Sequence, residues 1–357
     1  MKTLDWYILK KFLLAYLFVV AVIQAVVVII NITDQNENFI KHELSVLEIA
    51  GYYVDYVPYI ASMISPITIF ISVVFITSQL AQHTEIIAML SSGISFMRLL
   101  RPYFLGALII ALISFYFGGW VIPNSNKDRV AFELKYFKGA YTNTDRDIHI
   151  KIGPKSYLYM QSYNNHSNIG YRLTLETIDS LRVLDRLTAR HIKWQEKTEN
   201  WRLSDWNLRK FDGVQEIYTV GKEMDTTLRI RPKDFESDYN RFETLSIPEL
   251  NSYISELEMR GADDIIVYLI ERYIRFSAPF AAFVLTFIGV MVAARKVRGG
   301  AGLQIAIGFS LAFIYIIFYL FSRTSAESGG INPLLAVWIP NIVFFFIGVL
   351  LYRTVPR

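Results

Sequence analysis

Two short stretches concentrate the residues whose types and spacing suit chemistry. The first is Gln82-His83-Thr84-Glu85-Ile86-Ile87-Ala88-Met89-Leu90-Ser91-Ser92-Gly93-Ile94-Ser95. It is poor in turn formers, and Ile86, Met89 and Leu90 fall at helical spacing. One carboxylate, Glu85, stands near its start and Gly93 follows its end. Two readings fit: a helix that docks on another protein, or a helix that merely lies at a membrane interface. The second stretch is Glu271-Arg272-Tyr273-Ile274-Arg275, directly before an uncharged run. Ionisable groups at that depth face protein or a polar cavity. They either bind an anionic head group or form an internal ion pair with a snorkelling arginine. Arg272 and Arg275 are three apart and lie on neighbouring helix faces. Glu271 is expected to hold one of them, leaving Arg275 as the freer cation.

Other chemistry finds no support. The five histidines, His42, His83, His149, His166 and His191, show no metal-ligand spacing. The stretch Arg298-Gly299-Gly300-Ala301-Gly302 lacks the lysine and hydroxyl of a phosphate loop and reads as a short turn. There is no nucleophile elbow. With no cysteine, neither a disulfide nor a thiolate site is possible. The chain is therefore not expected to be an enzyme, and no metal or bound cofactor is expected.

The elements that must position these stretches are set by composition. Of 357 residues 53% are apolar and only 19% charged. Six runs, 12–30, 57–80, 102–122, 276–294, 303–322 and 333–352, contain no Asp, Glu, Lys or Arg. Each is about as long as the ~20 residues that cross a bilayer core. Such runs exclude a soluble globular domain, a disordered chain and a β-barrel, whose strands alternate. The first run exceeds the h-region of a signal peptide and is read as an uncleaved span. With the N-terminus inside, Lys2, Lys10, Lys11, Arg98, Arg101, Arg295, Lys296, Arg298, Arg353 and Arg357 are cytoplasmic. The short outer loops hold only Lys41 and Arg323, with Asp34, Glu37, Glu43, Glu48, Asp55 and Glu327. This asymmetry places both termini in the cytoplasm and the polar insert between spans three and four outside.

The insert, 123–264, is close to neutral, which gives no reason to expect nucleic acid. Residues 124–141 read as an amphipathic helix. From Asp147 the period becomes two: Ile148, Ile150 and Ile152 alternate, then Tyr157 and Tyr159, then Leu173 and Leu175. Short alternating strands between Gly/Pro/Asn clusters predict an antiparallel sandwich, jelly roll or open barrel. Strand order is not legible. Ser246-Ile247-Pro248-Glu249 reads as a helix start. The expected fold is thus a polytopic helical membrane protein, six spans as 3+3, with an inserted antiparallel β domain. Its parts are 1–122 with a helix near 82–95, 123–264, and 265–357.

The stretch Thr84–Gly93 resembles the coupling helix of the lipopolysaccharide export permeases, the LptF/LptG (YjgP/YjgQ) family. Further marks follow in order: Leu4-Asp5-Trp6-Tyr7-Ile8, Asp34-Gln35, Trp120-Val121-Ile122-Pro123, Arg275-Phe276-Ser277-Ala278-Pro279, Pro333 and Trp338-Ile339-Pro340-Asn341. The resemblance spans the chain and leans slightly to the LptG side. It implies an inner-membrane permease that pairs with a second LptF/LptG-type permease. It implies a cytoplasmic LptB ATPase dimer that uses ATP and Mg, docked through His83, Glu85, Met89 and Gly93. Lipopolysaccharide would enter between the permeases and pass through a periplasmic jelly-roll-like domain to LptC and LptA. On that resemblance the groove is lined by Ile148, Ile150, Ile152, Tyr157, Tyr159, Leu173 and Leu175, with Lys151 and Arg172 outward. Relatives on the LptG side carry basic residues just after span one. Here Asn31–Asn38 has none and Lys41 stands alone, so Lys127, Arg129, Arg272 and Arg275 are the substitute head-group ligands. The other function classes weighed are an ion-coupled secondary transporter, which usually carries ionisable residues at the bilayer midplane, and a membrane-anchored periplasmic scaffold or sensor.

Overall fold

The computed structural model describes residues 3–137, 146–165, 167–179, 182–212, 215–228, 230–232, 240–260, 265–294 and 300–353. Lys2, His166, Arg295, Lys296, Arg298, Gly299 and Arg357 lie outside these, as do 138–141 of the expected helix and 261–264 at the end of the insert. Gly300–Gly302, expected in a turn, instead open a helix. The chain forms two compact units. One comprises Met1–Phe132, Phe242–Leu250 and Ile266–Arg357; the other comprises Glu133–Arg241 and Asn251–Ile265.

The first unit is helical. Its elements are α1 (Thr3–Lys41), α2 (Val46–Gln82), α3 (Glu85–Ser91) and α4 (Phe96–Tyr116). A π-helical turn at Phe117–Val121 joins α4 to α5 (Ile122–Tyr136). Later in the chain come α6 (Arg241–Thr244), α7 (Ile247–Arg260), α8 (Ile265–Ala293), α9 (Gly300–Glu327) and α10 (Pro333–Tyr352); Glu133–Tyr136 of α5, Arg241, Asn251–Arg260 of α7 and Ile265 count with the second unit. Among the described residues, six helices are long and apolar enough to cross a membrane. At 1.5 Å per residue α1 is about 58 Å long, so it outruns a ~30 Å hydrocarbon core.

The spans pack through small residues and internal hydrogen bonds, since lipid tails offer no hydrophobic drive between helices. Gly106 of α4 lets the Phe12 ring of α1 approach within 2.5 Å of where a Cβ would stand. Ile8, Phe12, Val73, Leu80, Leu100 and Tyr103 form one core beside it. Tyr103, fully buried, accepts from Thr77 Oγ1 at 2.9 Å. A second core gathers Phe70, Val74, Leu285, Ile288, Tyr315 and Phe344. There Asn341 accepts from Tyr315 at 2.9 Å and donates to the Ser277 carbonyl at 3.2 Å. The π turn falls at Gly118-Gly119, and Gly119 leaves room for Ile247, whose Cδ1 lies 2.8 Å from the notional Cβ.

The second unit holds β1 (Arg146–Lys151), β2 (Ser156–Asn164), β3 (Ile169–Asp179), β4 (Arg182–Gln195), β5 (Asn200–Asp212) and β6 (Gln215–Thr226). All pair antiparallel in chain order, β1-β2-β3-β4-β5-β6. The inserted antiparallel domain is thus as expected, and its strand order is a meander.

A feature no period-two reading contains runs across all six strands. Pairing is recorded on both sides of the line Asp147, Gln161, Arg172, Arg190, Asp205 and Lys222, in unchanged register, but not at these residues. Asp147, Arg172 and Asp205 have φ of 59°, 51° and 50°. In β2 to β5 the inward positions step by three across this line, a crease in the pattern, instead of two. Leu187 and Ala189 point inward before the crease, Ile192 and Trp194 after it; in β5 the inward set is Leu203, then Trp206 and Leu208. The register is unchanged across the crease, so this is not a bulge; its effect is to switch which residues of each strand face the core.

Candidate functional site

Helix α3 begins abruptly. Thr84 precedes it at φ 59° and gives no side-chain cap, because its hydroxyl donates to the His83 carbonyl. Gly93, at φ 83°, follows it in the left-handed region that glycine tolerates. Between them Ile86 and Met89 face inward and are buried. His83, Ile87 and Gly93 are exposed. Met89, expected on the presented face, instead anchors α3 to the bundle core beside Ile8 and Phe12. Glu85 is not a free ligand either. Its Oε2 accepts from the Tyr7 hydroxyl at 3.1 Å, and Lys11 Nζ stands 3.8 Å from Oε1.

A charged cluster lies where α5, α6 and α8 meet within the helical unit. Arg129 is 3% exposed. Its Nε donates to Asn126 Oδ1 at 2.8 Å, its Nη2 pairs with Glu243 Oε2, and its guanidinium lies 4.0 Å over the Tyr59 ring. Tyr59 donates to the other Glu243 oxygen at 3.3 Å, and Asn126 Nδ2 to the Glu243 carbonyl at 3.1 Å. Burial pushes the Glu243 carboxyl above its ordinary range against the pull of Arg129, and the Glu271 charge adds to the push. Arg275 is 6% exposed. It donates to Glu271 Oε1 at 3.1 Å and to the carbonyls of Leu245 and Phe242.

This reverses the expectation for the two arginines of α8. Arg275 is the held one, because an i,i+4 carboxylate and two backbone carbonyls use its donors. Arg272 only stacks on Tyr273, 5.0 Å from the ring, and donates to its hydroxyl at 3.2 Å. Arg129 and Arg275 are thus interior residues that fix α6 against α5 and α8. Lys41 is exposed at the end of α1. Lys127 remains half-exposed while donating to Glu249 at 3.1 Å. Glu249 also closes the start of α7: its carboxylate accepts from the Ser246 amide at 2.8 Å and hydroxyl at 2.6 Å. Those bonds hold the Glu249 carboxyl down to about 2, with Lys127 adding to the effect.

On the sheet, Ile148 pairs with Met160, Met160 with Leu173, and Leu158 with Leu175. Paired residues share a face, so Ile148, Ile150, Leu173 and Leu175 lie together. Tyr157 and Tyr159 do not join them. They pair with Lys151 and His149 on the opposite face, and Tyr159 donates to Asp147 at 2.6 Å. The inward residues of β2 are the intervening Leu158 and Met160. The centre of the apolar face is closed: Leu173 is 1% exposed, and Trp201 is sealed by a 2.8 Å bond from its indole to the Ile230 carbonyl. Ile148, Ile150, Ile152 and Leu175 are half-buried around it.

The family model described as lipopolysaccharide export system permease LptF/LptG matches residues 6–354. The chain belongs to the LptF/LptG permease family. Among its relatives is the lipopolysaccharide export system permease protein LptG of Escherichia coli strain K12, 20% identical over 353 residues, 96% of each chain. LptG of Escherichia coli O6:H1 strain CFT073 matches to the same extent. The six candidate spans and the inserted antiparallel sheet described above are consistent with such a permease. Sequence reasoning missed Tyr7, Lys11, Asn126, Tyr59 and Glu243, because each earns its place by contact with residues distant in the chain. Only the spacing of Tyr7 and Lys11, four apart on one helix face, was a local signal.

Proposed function

We propose that this chain is one permease subunit of an ATP-driven lipopolysaccharide exporter in a Gram-negative inner membrane. The observation that carries the reading is α3, a short helix with Ile87 exposed and flanked by exposed His83 and Gly93, in the connection between the second and third spans of an LptF/LptG-family permease. The charge asymmetry of the loops puts α3 and both termini in the cytoplasm and 123–264 in the periplasm. An LptB dimer docks there and binds and hydrolyses Mg-ATP, since this chain has no phosphate loop. A second LptF/LptG-type permease completes the cavity, and LptC and LptA receive the lipid.

Lipopolysaccharide phosphates are met by cations that remain accessible: Lys41, Lys127 and Arg272. Arginine holds phosphate bidentately, which favours Arg272 as the main ligand. Arg129 and Arg275 contribute by fixing the frame around it. Acyl chains follow the half-buried rim of the sheet at Ile148, Ile150, Ile152 and Leu175, and reach Leu173 only when the sheet opens. The test is reconstitution with the second permease and the ATPase, with a photocrosslinking residue at Ile150. ATP-dependent capture of lipopolysaccharide is expected. Capture that ignores ATP, or a chain that never co-purifies with an ATPase, would overturn the reading.

A further inference from the structure

Glu85 is the sole carboxylate between residues 56 and 127, and it is already engaged inside the chain. Tyr7 donates to both oxygens, at 3.1 Å and 3.4 Å, and Lys11 Nζ lies 3.8 Å from Oε1. The same ammonium sits 4.4 Å from the centre of the Tyr7 ring. The three side chains therefore close a triangle between α3 and the first turns of α1. Beneath it the contact is apolar: Ile86 and Met89 share a core with Ile8 and Phe12. Apolar contact holds α3 down but is non-directional. The charge-assisted bonds are what fix its register on α1. No side-chain cap adds to them, since the Thr84 hydroxyl is turned to the His83 carbonyl.

The triangle is also open to exchange. The Glu85 and Lys11 side chains are 29% and 31% exposed, and a carboxylate has about four acceptor sites. A cation arriving beside exposed Ile87 can reach Glu85 and compete with Tyr7 and Lys11.

We propose that Tyr7 and Lys11 are positioning residues that hold Glu85, and with it α3, to α1, and yield it to a basic group of the docked ATPase. Movement of α3 is thereby passed to the first span. This rests on the exporter reading above, and it goes beyond that reading by assigning the route of coupling within the chain.

The test uses the full complex reconstituted in proteoliposomes, with variants Tyr7→Phe, Lys11→Met and Lys11→Arg. Removing a hydrogen bond to a charged, part-exposed group predicts about three- to tenfold more ATP hydrolysed per lipopolysaccharide released in Tyr7→Phe. Subunit assembly stays intact, and Lys11→Arg restores what Lys11→Met loses. Tyr7→Phe added to Glu85→Gln changes nothing further, because the charge that Tyr7 answers is already gone. A native ratio in both Tyr7→Phe and Lys11→Met, or full additivity with Glu85→Gln, overturns the proposal.

A second measurement needs no lipid. The chain has no cysteine, so spin labels at Lys10→Cys and Ile87→Cys report the α1–α3 distance alone. A narrow distribution is expected, shifting when ATPase and nucleotide are added and broadening in Tyr7→Phe. Identical distributions in all three samples overturn the latch. A native complex that releases no lipopolysaccharide, while the distance still shifts, instead counts against the exporter reading.

Discussion

Arg129→Met isolates the interior ion pair. The substitution keeps the aliphatic stem but leaves Glu243, 16% exposed in its side chain, without its guanidinium. Breaking a buried pair by removing one partner typically costs about 3–5 kcal/mol. Glu243 keeps the Tyr59 bond and some solvent, so the lower end, about 3 kcal/mol, is expected here. The sign of the pH dependence follows. Burial already raises the Glu243 carboxyl, and losing Arg129 raises it further. Below the ordinary Glu value near ~4.3 the carboxyl is neutral in folded and unfolded chains alike, and the orphan-charge penalty is absent. The penalty grows as pH rises and is complete above the raised value. Thermal unfolding in detergent should therefore show a deficit for Arg129→Met that is smaller at acid than at neutral pH. Arg129→Met/Glu243→Gln should recover most of it, because no buried charge is left. A pH-independent deficit, or a double variant no better than the single, would refute the argument.

For the two arginines of α8 opposite phenotypes are expected: Arg272→Ala lowers lipopolysaccharide crosslinking in a subunit of native stability, whereas Arg275→Ala lowers stability by about 3 kcal/mol through the orphaned Glu271. Differential scanning fluorimetry beside crosslinking yield separates them. Glu249→Gln opens the cap of α7 at a cost of about 1 kcal/mol. Because the folded carboxyl is held at about 2, the native cap contributes above pH ~4.3 and is lost as pH falls toward 2, which amide exchange in the first turn of α7 reads directly. At the crease, Asp205 is exposed with φ 50°, so Asp205→Gly should exceed Asp205→Val in stability by about 1–2 kcal/mol. Equal unfolding midpoints would mean that the left-handed conformation is not kept in solution.

The spans, the antiparallel insert and the helix start at Ser246 were legible because local physics decides them. An uncharged run of about 20 residues has no other stable setting in a chain of this kind. A serine followed three residues later by glutamate closes its own cap. The face assignments along the strands were legible only in part. Ile148, Ile150, Leu173 and Leu175 follow from alternation, but Tyr157 and Tyr159 are as apolar to the eye as Leu158 and Met160. Register against β1 and β3 chose the latter pair for the core. The crease was beyond reach for the same reason. A polar residue such as Arg172 or Asp205 breaks the period without any glycine to announce it, and only the pairing of the strands on either side shows the switch. Tertiary structure also decided which charge is free. Arg272 and Arg275 are alike in sequence, and only the carbonyls of Phe242 and Leu245, about thirty residues away, hold one in the interior and leave the other half-buried. Glu85 and Met89 show the same division: the helix is local, but α1, brought alongside by the packing of Phe12 on Gly106, determines that Met89 turns inward and that Glu85 meets Tyr7. Local sequence sets what a segment becomes, and the partner that satisfies or neutralises a side chain is supplied by the fold, because a buried charge is stable only where another part of the chain can answer it.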